Sequence, residues 1–173
     1  MRTIRILDLI ITILFYSMLG IGTIFFVIYT FFLFGIDLGI KTTTTFSSKN
    51  DDLLYLILFF NFIFYSTYTY SIFLFKQNIT SFLNFNFFTD RVIINFKTMG
   101  IIYILGNIIN SLIIPLFKQH IKIDFGFDQN LLNFPLNGFI IGLFFLVMSK
   151  VFQIAKNQKE ENIELKQENE LTI

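Results

Sequence analysis

The sequence predicts an all-α membrane fold, a four-helix transmembrane bundle carrying a small two-stranded extracytoplasmic sheet. Three observations carry that expectation. Hydrophobic residues make up 54% of the 173 and charged ones only 14%, too apolar a balance for a water-soluble domain. The charges fall in clusters, and the uncharged runs between them have the length that crosses a bilayer. The basic residues are shared unevenly between alternate connections.

The spans are marked by their missing charges, because an ionised side chain at the bilayer centre costs roughly 2.5 to 3.5 kcal/mol. Leu9 to Phe34, Leu53 to Phe75 and Thr98 to Phe117 are free of charge, and each reaches the roughly 20 residues that cross about 30 Å as a helix. The run Leu131 to Ala155 holds Pro135 near its start and Lys150 near its end. A proline in a first turn costs no hydrogen bond, and a terminal lysine reaches the headgroups with its stem in lipid. Helices are expected at about 6–36, 52–76, 90–117 and 134–157, in one transmembrane domain over 1–156, with 157–173 as a charged cytoplasmic tail. Arg2 and Arg5 ahead of the first run resemble the start of a signal peptide, but the run outlasts the roughly 7 to 15 residues of an apolar signal core. It reads as a retained helix.

Orientation follows from the basic residues. With the N-terminus inside, Arg2, Arg5, Lys76, Arg91, Lys97, Lys150, Lys156, Lys159 and Lys166 are cytoplasmic, whereas Lys41, Lys49, Lys118 and Lys122 are outside. Both termini are therefore expected in the cytoplasm. The outer connections, a Thr/Ser run from Lys41 to Asn50 and the alternating Ile121 to Asp128, suit extended strands and are expected to pair into the capping sheet. The inner connection from Lys76 to Lys97 carries Ile79, Phe82, Leu83, Phe85, Phe87 and Phe88, too apolar for a solvated loop. A short interfacial helix is expected there. Thr89 is placed to cap the third helix, with Asp90 in its first turn. Beyond Ala155, good helix formers and the i,i+4 pair Lys156/Glu160 predict that the fourth helix continues before fraying.

Several function classes are disfavoured. Thirteen Lys and Arg against twelve Asp and Glu leave no field for nucleic acid. Without cysteine there is no disulfide or thiolate site, and one histidine, His120, beside Lys118 and Lys122, does not make a metal site. No cofactor is implied. No ionisable residue sits deep in a span, which argues against a proton relay or an intramembrane hydrolase, and no phosphate loop, metal-helix motif or nucleophile elbow is found. The expectation is a protein that is not an enzyme.

The polarity that remains is uncharged. Asn61 and the run Tyr65 to Ser71 lie on the second helix, and Tyr103, Asn107, Asn110 and Ser111 on the third. Asn61 and Asn110 fall at one depth, and an amide pair between them is worth roughly 0.6 to 2 kcal/mol. Gly138 and Gly142 form a small-xxx-small pattern for close helix approach within the bundle, with homodimerisation as the alternative use. Ser17, Gly20 and Thr23 offer a similar stripe on the first helix.

Two sequence features resemble a known family. Asn86-Phe-Phe-Thr-Asp-Arg91 followed by Phe96-Lys-Thr-Met-Gly100, and the ending Leu165-Lys-Gln-Glu-Asn-Glu-Leu-Thr-Ile173, are similar to the inner loop and C-terminus of an uncharacterised family of bacterial four-pass membrane proteins. That resemblance implies a bacterial cytoplasmic membrane and, since such proteins are often encoded beside a small helix-turn-helix regulator, a cytoplasmic regulatory partner. Phe88, Thr89, Asp90 and Arg91 with Glu168, Leu171, Thr172 and Ile173 are the candidate partner surface. The alternative is a small channel or facilitator for a neutral solute along the Asn/Tyr/Ser faces of the second and third helices.

Overall fold

A computed structural model of the chain describes residues 2–34, 51–120 and 135–171. They form four helices: α1 (Arg2–Leu33), α2 (Asp51–Leu83), α3 (Asp90–His120) and α4 (Pro135–Leu171). Among the described residues there is no strand, and the two segments expected to pair into a sheet lie outside them. Three helices are long and apolar enough to cross a membrane, α1 over Thr3–Phe31, α3 over Asp90–Leu112 and α4 from Gly138. This is a membrane protein with transmembrane helices. Large apolar side chains cover the outside of these spans, among them Ile10, Ile13 and Ile24 of α1, Leu105 and Ile108 of α3, and Ile140, Phe144 and Val147 of α4. Such a surface is at rest in hydrocarbon and costly in water.

Successive helices pack antiparallel, α1 on α2, α2 on α3 and α3 on α4. Tyr65 reaches Met18 while Phe73 meets Phe15 on the first pair, and Tyr68 meets Tyr103 while Asn78 meets Asn95 on the second. Side chains of α2 also touch α4, through Phe75–Phe145 and Phe82–Phe152 ring contacts. Helices α2, α3 and α4 thereby enclose a core of Leu74, Val92, Phe96 and Met99, packed around by Phe75, Phe82, Phe145, Met148 and Phe152. Phe96 and Phe152 stack at 5.3 Å between centroids, nearly parallel. Among the described residues α1 packs on α2 alone, so it lies on the flank of this core.

The separate interfacial helix expected between Lys76 and Lys97 does not form. Instead α2 runs on through Leu83 before the chain turns, and Ile79, Phe82 and Phe87 of the segment pack against the rest of the protein while Phe85 and Phe88 stay exposed. Ile79 is buried, while the rings of Phe82 and Phe87 stack on each other and Phe88 packs against Phe152. Continuing α2 satisfies the backbone and brings these rings into contact with one another and with Phe152, which an isolated interfacial helix does not achieve.

Candidate functional site

The chemistry-bearing side chains gather at the end of the molecule that holds the α2–α3 turn. Helix α2 stops in a Schellman arrangement: Asn86 N–H donates to Ser81 O at 2.9 Å and Phe85 N–H to Phe82 O at 3.2 Å. The left-handed position belongs to Phe85, with φ of 59°, where glycine is the usual residue. That costs on the order of 1 to 2 kcal/mol, yet the ring remains largely exposed. Helix α3 then starts at Asp90, and the Thr89 hydroxyl accepts from Val92 N–H at 3.5 Å, the expected cap.

Asp90 has a second role that its position in the chain does not announce. Both of its carboxylate oxygens accept from Lys156 Nζ, at 2.8 and 2.9 Å, tying the start of α3 to α4 where the apolar part of α4 ends. Lys156 also contacts Glu160 at 3.5 Å. Hydrogen bonding to Asp90 outweighs desolvation and raises the Lys156 pKa above its ordinary value. Past this strap, α4 remains one helix to Leu171, with residues 157–171 exposed, including Ile163, Leu165 and Leu171. Phe88, Gln158, Asn162 and Lys166 border a shallow groove between the turn and this extension. Glu168 lies on the exposed extension, while Thr172 and Ile173 are outside the described residues.

The structure places the amide pair between α2 and α3 at Asn78 and Asn95 rather than at Asn61 and Asn110. Asn95 Nδ2 donates to Asn78 Oδ1 at 2.8 Å and lies 3.4 Å from Gln77 Oε1; Asn78 and Asn95 are both buried, and Asn78 Nδ2 is without a partner among the described residues. Asn110, in contrast, is exposed on α3, as are Asn61 on α2 and Ser111, whose hydroxyl lies 3.4 Å from Asn107 Oδ1. Asn78 and Asn95 escape a sequence reading because they fall in the stretch between Lys76 and Lys97 that reads as a connection. Their signal is that, once α2 and α3 are extended to meet at the turn, both asparagines face each other at one depth.

Gly138 and Gly142 both face α3. A Cβ on Gly138 would meet the Asn107 side chain at 3.1 Å, and one on Gly142 would meet Ile104 Cγ1 at 2.6 Å and Gly100 O at 2.9 Å. Gly100, given no packing role from the sequence, is the reciprocal partner, since a Cβ there would lie 2.8 Å from Gly142 O. Ser149 Oγ donates to Ile93 O at 2.9 Å further along the same interface. The α1 stripe behaves differently. Ser17 and Thr23 are exposed and hydrogen-bond carbonyls of their own helix, and Gly20 has nothing within 4 Å of its Cβ position. The α1 glycine in close contact is Gly22, where a Cβ would lie 2.9 Å from the Tyr65 ring, because the face of α1 that meets α2 runs through Phe15, Met18 and Gly22.

Two cavities adjoin α2. The larger, about 660 Å³, is a crevice between α1 and α2 whose walls include Phe15, Met18, Phe26, Phe62 and Tyr65. The smaller, about 410 Å³, is a polar cup beside the turn, with Lys76, Gln77, Thr80, Asn84 and Arg91 in its wall. Phe73 belongs to both. Among the described residues no His/Cys/Asp/Glu group is arranged to hold a metal ion. Comparison with protein-family models, curated proteins and solved structures finds no match for this chain.

Proposed function

We propose that this is a four-pass protein of a bacterial cytoplasmic membrane, with both termini in the cytoplasm, acting without catalysis as the membrane partner or sensor of a cytoplasmic helix-turn-helix regulator. The observation that carries this reading is the extension of α4. A helix that continues from a span to Leu171 and keeps Ile163, Leu165 and Leu171 in the open is a presented surface; Ile163 and Leu171, eight residues apart, fall on nearly one face, as the apolar anchors of a helix docked in a partner's groove do. The Asp90–Lys156 strap links that surface to the α2–α3 turn, so a change among the spans reaches the extension. Support for the fourth crossing comes from α2, which lies antiparallel between α1 and α3 and continues through Leu83. The basic residues Lys76, Arg91, Lys97, Lys150, Lys156, Lys159 and Lys166 all fall toward the turn end, which favours the cytoplasm for that end. The resemblance of the inner loop and C-terminus to the uncharacterised four-pass family favours the regulator as the partner. Homodimerisation through Gly138 and Gly142 loses support, since both are engaged by α3.

Crosslinking in native membranes followed by affinity recovery tests the reading. A helix-turn-helix protein captured by the full chain and lost on deletion of 166–173 is the expected result. Equal recovery with and without the deletion would refute it, and solute flux through liposomes holding the pure protein would point to the facilitator instead. The Tyr68–Tyr103 ring contact, at 5.4 Å, fills part of the face along which a solute path would run.

A further inference from the structure

We propose that the polar cup and the apolar crevice form one binding site for a single anionic phospholipid, with its phosphate in the cup and an acyl chain along the crevice. The two cavities share Phe73, so they are neighbours along α2. Their chemistry changes in the direction that a phospholipid's does. The crevice runs between α1 and α2 at the depth of uncharged residues 62–73, whereas the cup begins at Lys76, the first charge after the uncharged run. That is where lipid headgroups lie relative to a span.

The cup also carries unneutralised charge. Lys76 and Arg91 are in its wall and no carboxylate is. Asp90 and Glu160 pair with Lys156, and among the described residues no carboxylate lies within 4 Å of the Lys76 or Arg91 cations. The Lys76 ammonium instead lies over the rings of Tyr16 and Phe15, at 5.0 and 5.6 Å. Cation–π contact holds the ammonium in place without cancelling its charge. Gln77, Thr80, Asn84 and Thr89 add neutral hydrogen-bonding groups of the kind that satisfy phosphate and glycerol oxygens. Two cations at headgroup depth in a wall that holds no carboxylate, opening onto an apolar slot, complement an anionic lipid. A zwitterionic lipid brings its own cation to the cup, and a free phosphate leaves the crevice unfilled.

The test uses the full chain reconstituted into vesicles of equal parts phosphatidylglycerol and phosphatidylcholine, re-extracted in mild detergent, with retained lipid read by native mass spectrometry. One phosphatidylglycerol per chain is expected, preferred over phosphatidylcholine on the order of thirtyfold for two basic side chains. The double variant Lys76→Gln/Arg91→Gln should lose the preference and Lys76→Arg/Arg91→Lys should keep it, which separates loss of charge from loss of fold. Ser66→Phe, which fills the crevice wall, should reduce retention with both cations intact. Inorganic phosphate added in millimolar amounts should not displace the lipid. Equal retention of the two lipids, preference surviving in the glutamine variant, preference lost equally in both double variants, or displacement by phosphate alone would each overturn the proposal.

Discussion

Asp90 and Lys156 meet through two hydrogen bonds of 2.8 and 2.9 Å, joining the first residue of α3 to α4 at the point where its apolar run ends. The carboxylate is largely exposed, so the pair is a strap whose worth lies more in geometry than in stability. Asp90→Asn should therefore lower Tm in detergent by no more than about 2 °C, while disulfide trapping between cysteines placed at 91 and 157 becomes markedly slower. A large fall in Tm would show that the pair is structural.

The same pair fixes a pH response. The Lys156 pKa is raised in the folded protein, so its contribution is complete below the ordinary lysine value of 10.5 and is lost as pH climbs through the higher folded value. Because thiol reactivity itself varies with pH, the readout is the ratio of trapping rates with and without Asp90→Asn at each pH, which should be constant across neutral pH and approach one only in strong alkali.

The α3–α4 crossing depends on two glycines, each close to the other's backbone as well as to a side chain, Leu146 for Gly100 and Ile104 for Gly142. Gly142→Ala and Gly100→Ala each place a Cβ within 3 Å of the other glycine's carbonyl oxygen, and overpacking of that kind costs about 1 to 3 kcal/mol. Gly20→Ala meets nothing within 4 Å and should be neutral or gain roughly 0.5 to 1 kcal/mol from the lower backbone entropy of the unfolded chain. Thermal unfolding of the three variants in one detergent compares them directly.

Asn95→Leu removes the donor to Asn78 Oδ1 and leaves a buried amide facing an apolar side chain. The expected cost is about 1 to 3 kcal/mol, whereas the double change Asn78→Leu/Asn95→Leu should recover much of it, because no polar group is then left unsatisfied. A double-mutant cycle on Tm reads the coupling, and additive losses would contradict the pairing.

Phe85→Gly should stabilise the turn by about 1 kcal/mol by removing a left-handed non-glycine residue. If the exposed ring is there for the proposed cytoplasmic partner, the same variant should recover less of it, and a gain in Tm with unchanged recovery would assign Phe85 no part in binding.

The charge pattern marked α1, α3 and α4 as spans because the cost of an ion in hydrocarbon acts residue by residue, and the Thr89 cap with Asp90 behind it was legible for the same local reason. The Lys76–Lys97 segment misled. Its charges, with Asn78 and Asn95, look like a connection, but they sit on α2 and α3 themselves, and the interfacial helix expected there is the end of α2. Asn61 and Asn110 were matched by depth alone, which leaves the rotation of each helix undetermined, and the rotation brings Asn78 and Asn95 together instead.

By itself, then, the sequence determined the solvent of this protein, the reach of its apolar helices and the start of α3, all set by short-range rules of polarity, hydrogen bonding and capping. Which glycines touch, which amides pair, that Asp90 finds Lys156 and that, among the described residues, α1 packs on α2 alone were decided only by tertiary structure. Helix rotation and crossing depend on side chains far apart in the chain fitting one another, and in lipid, where apolar burial scarcely discriminates one face from another, that fit is supplied by small residues and a few polar contacts.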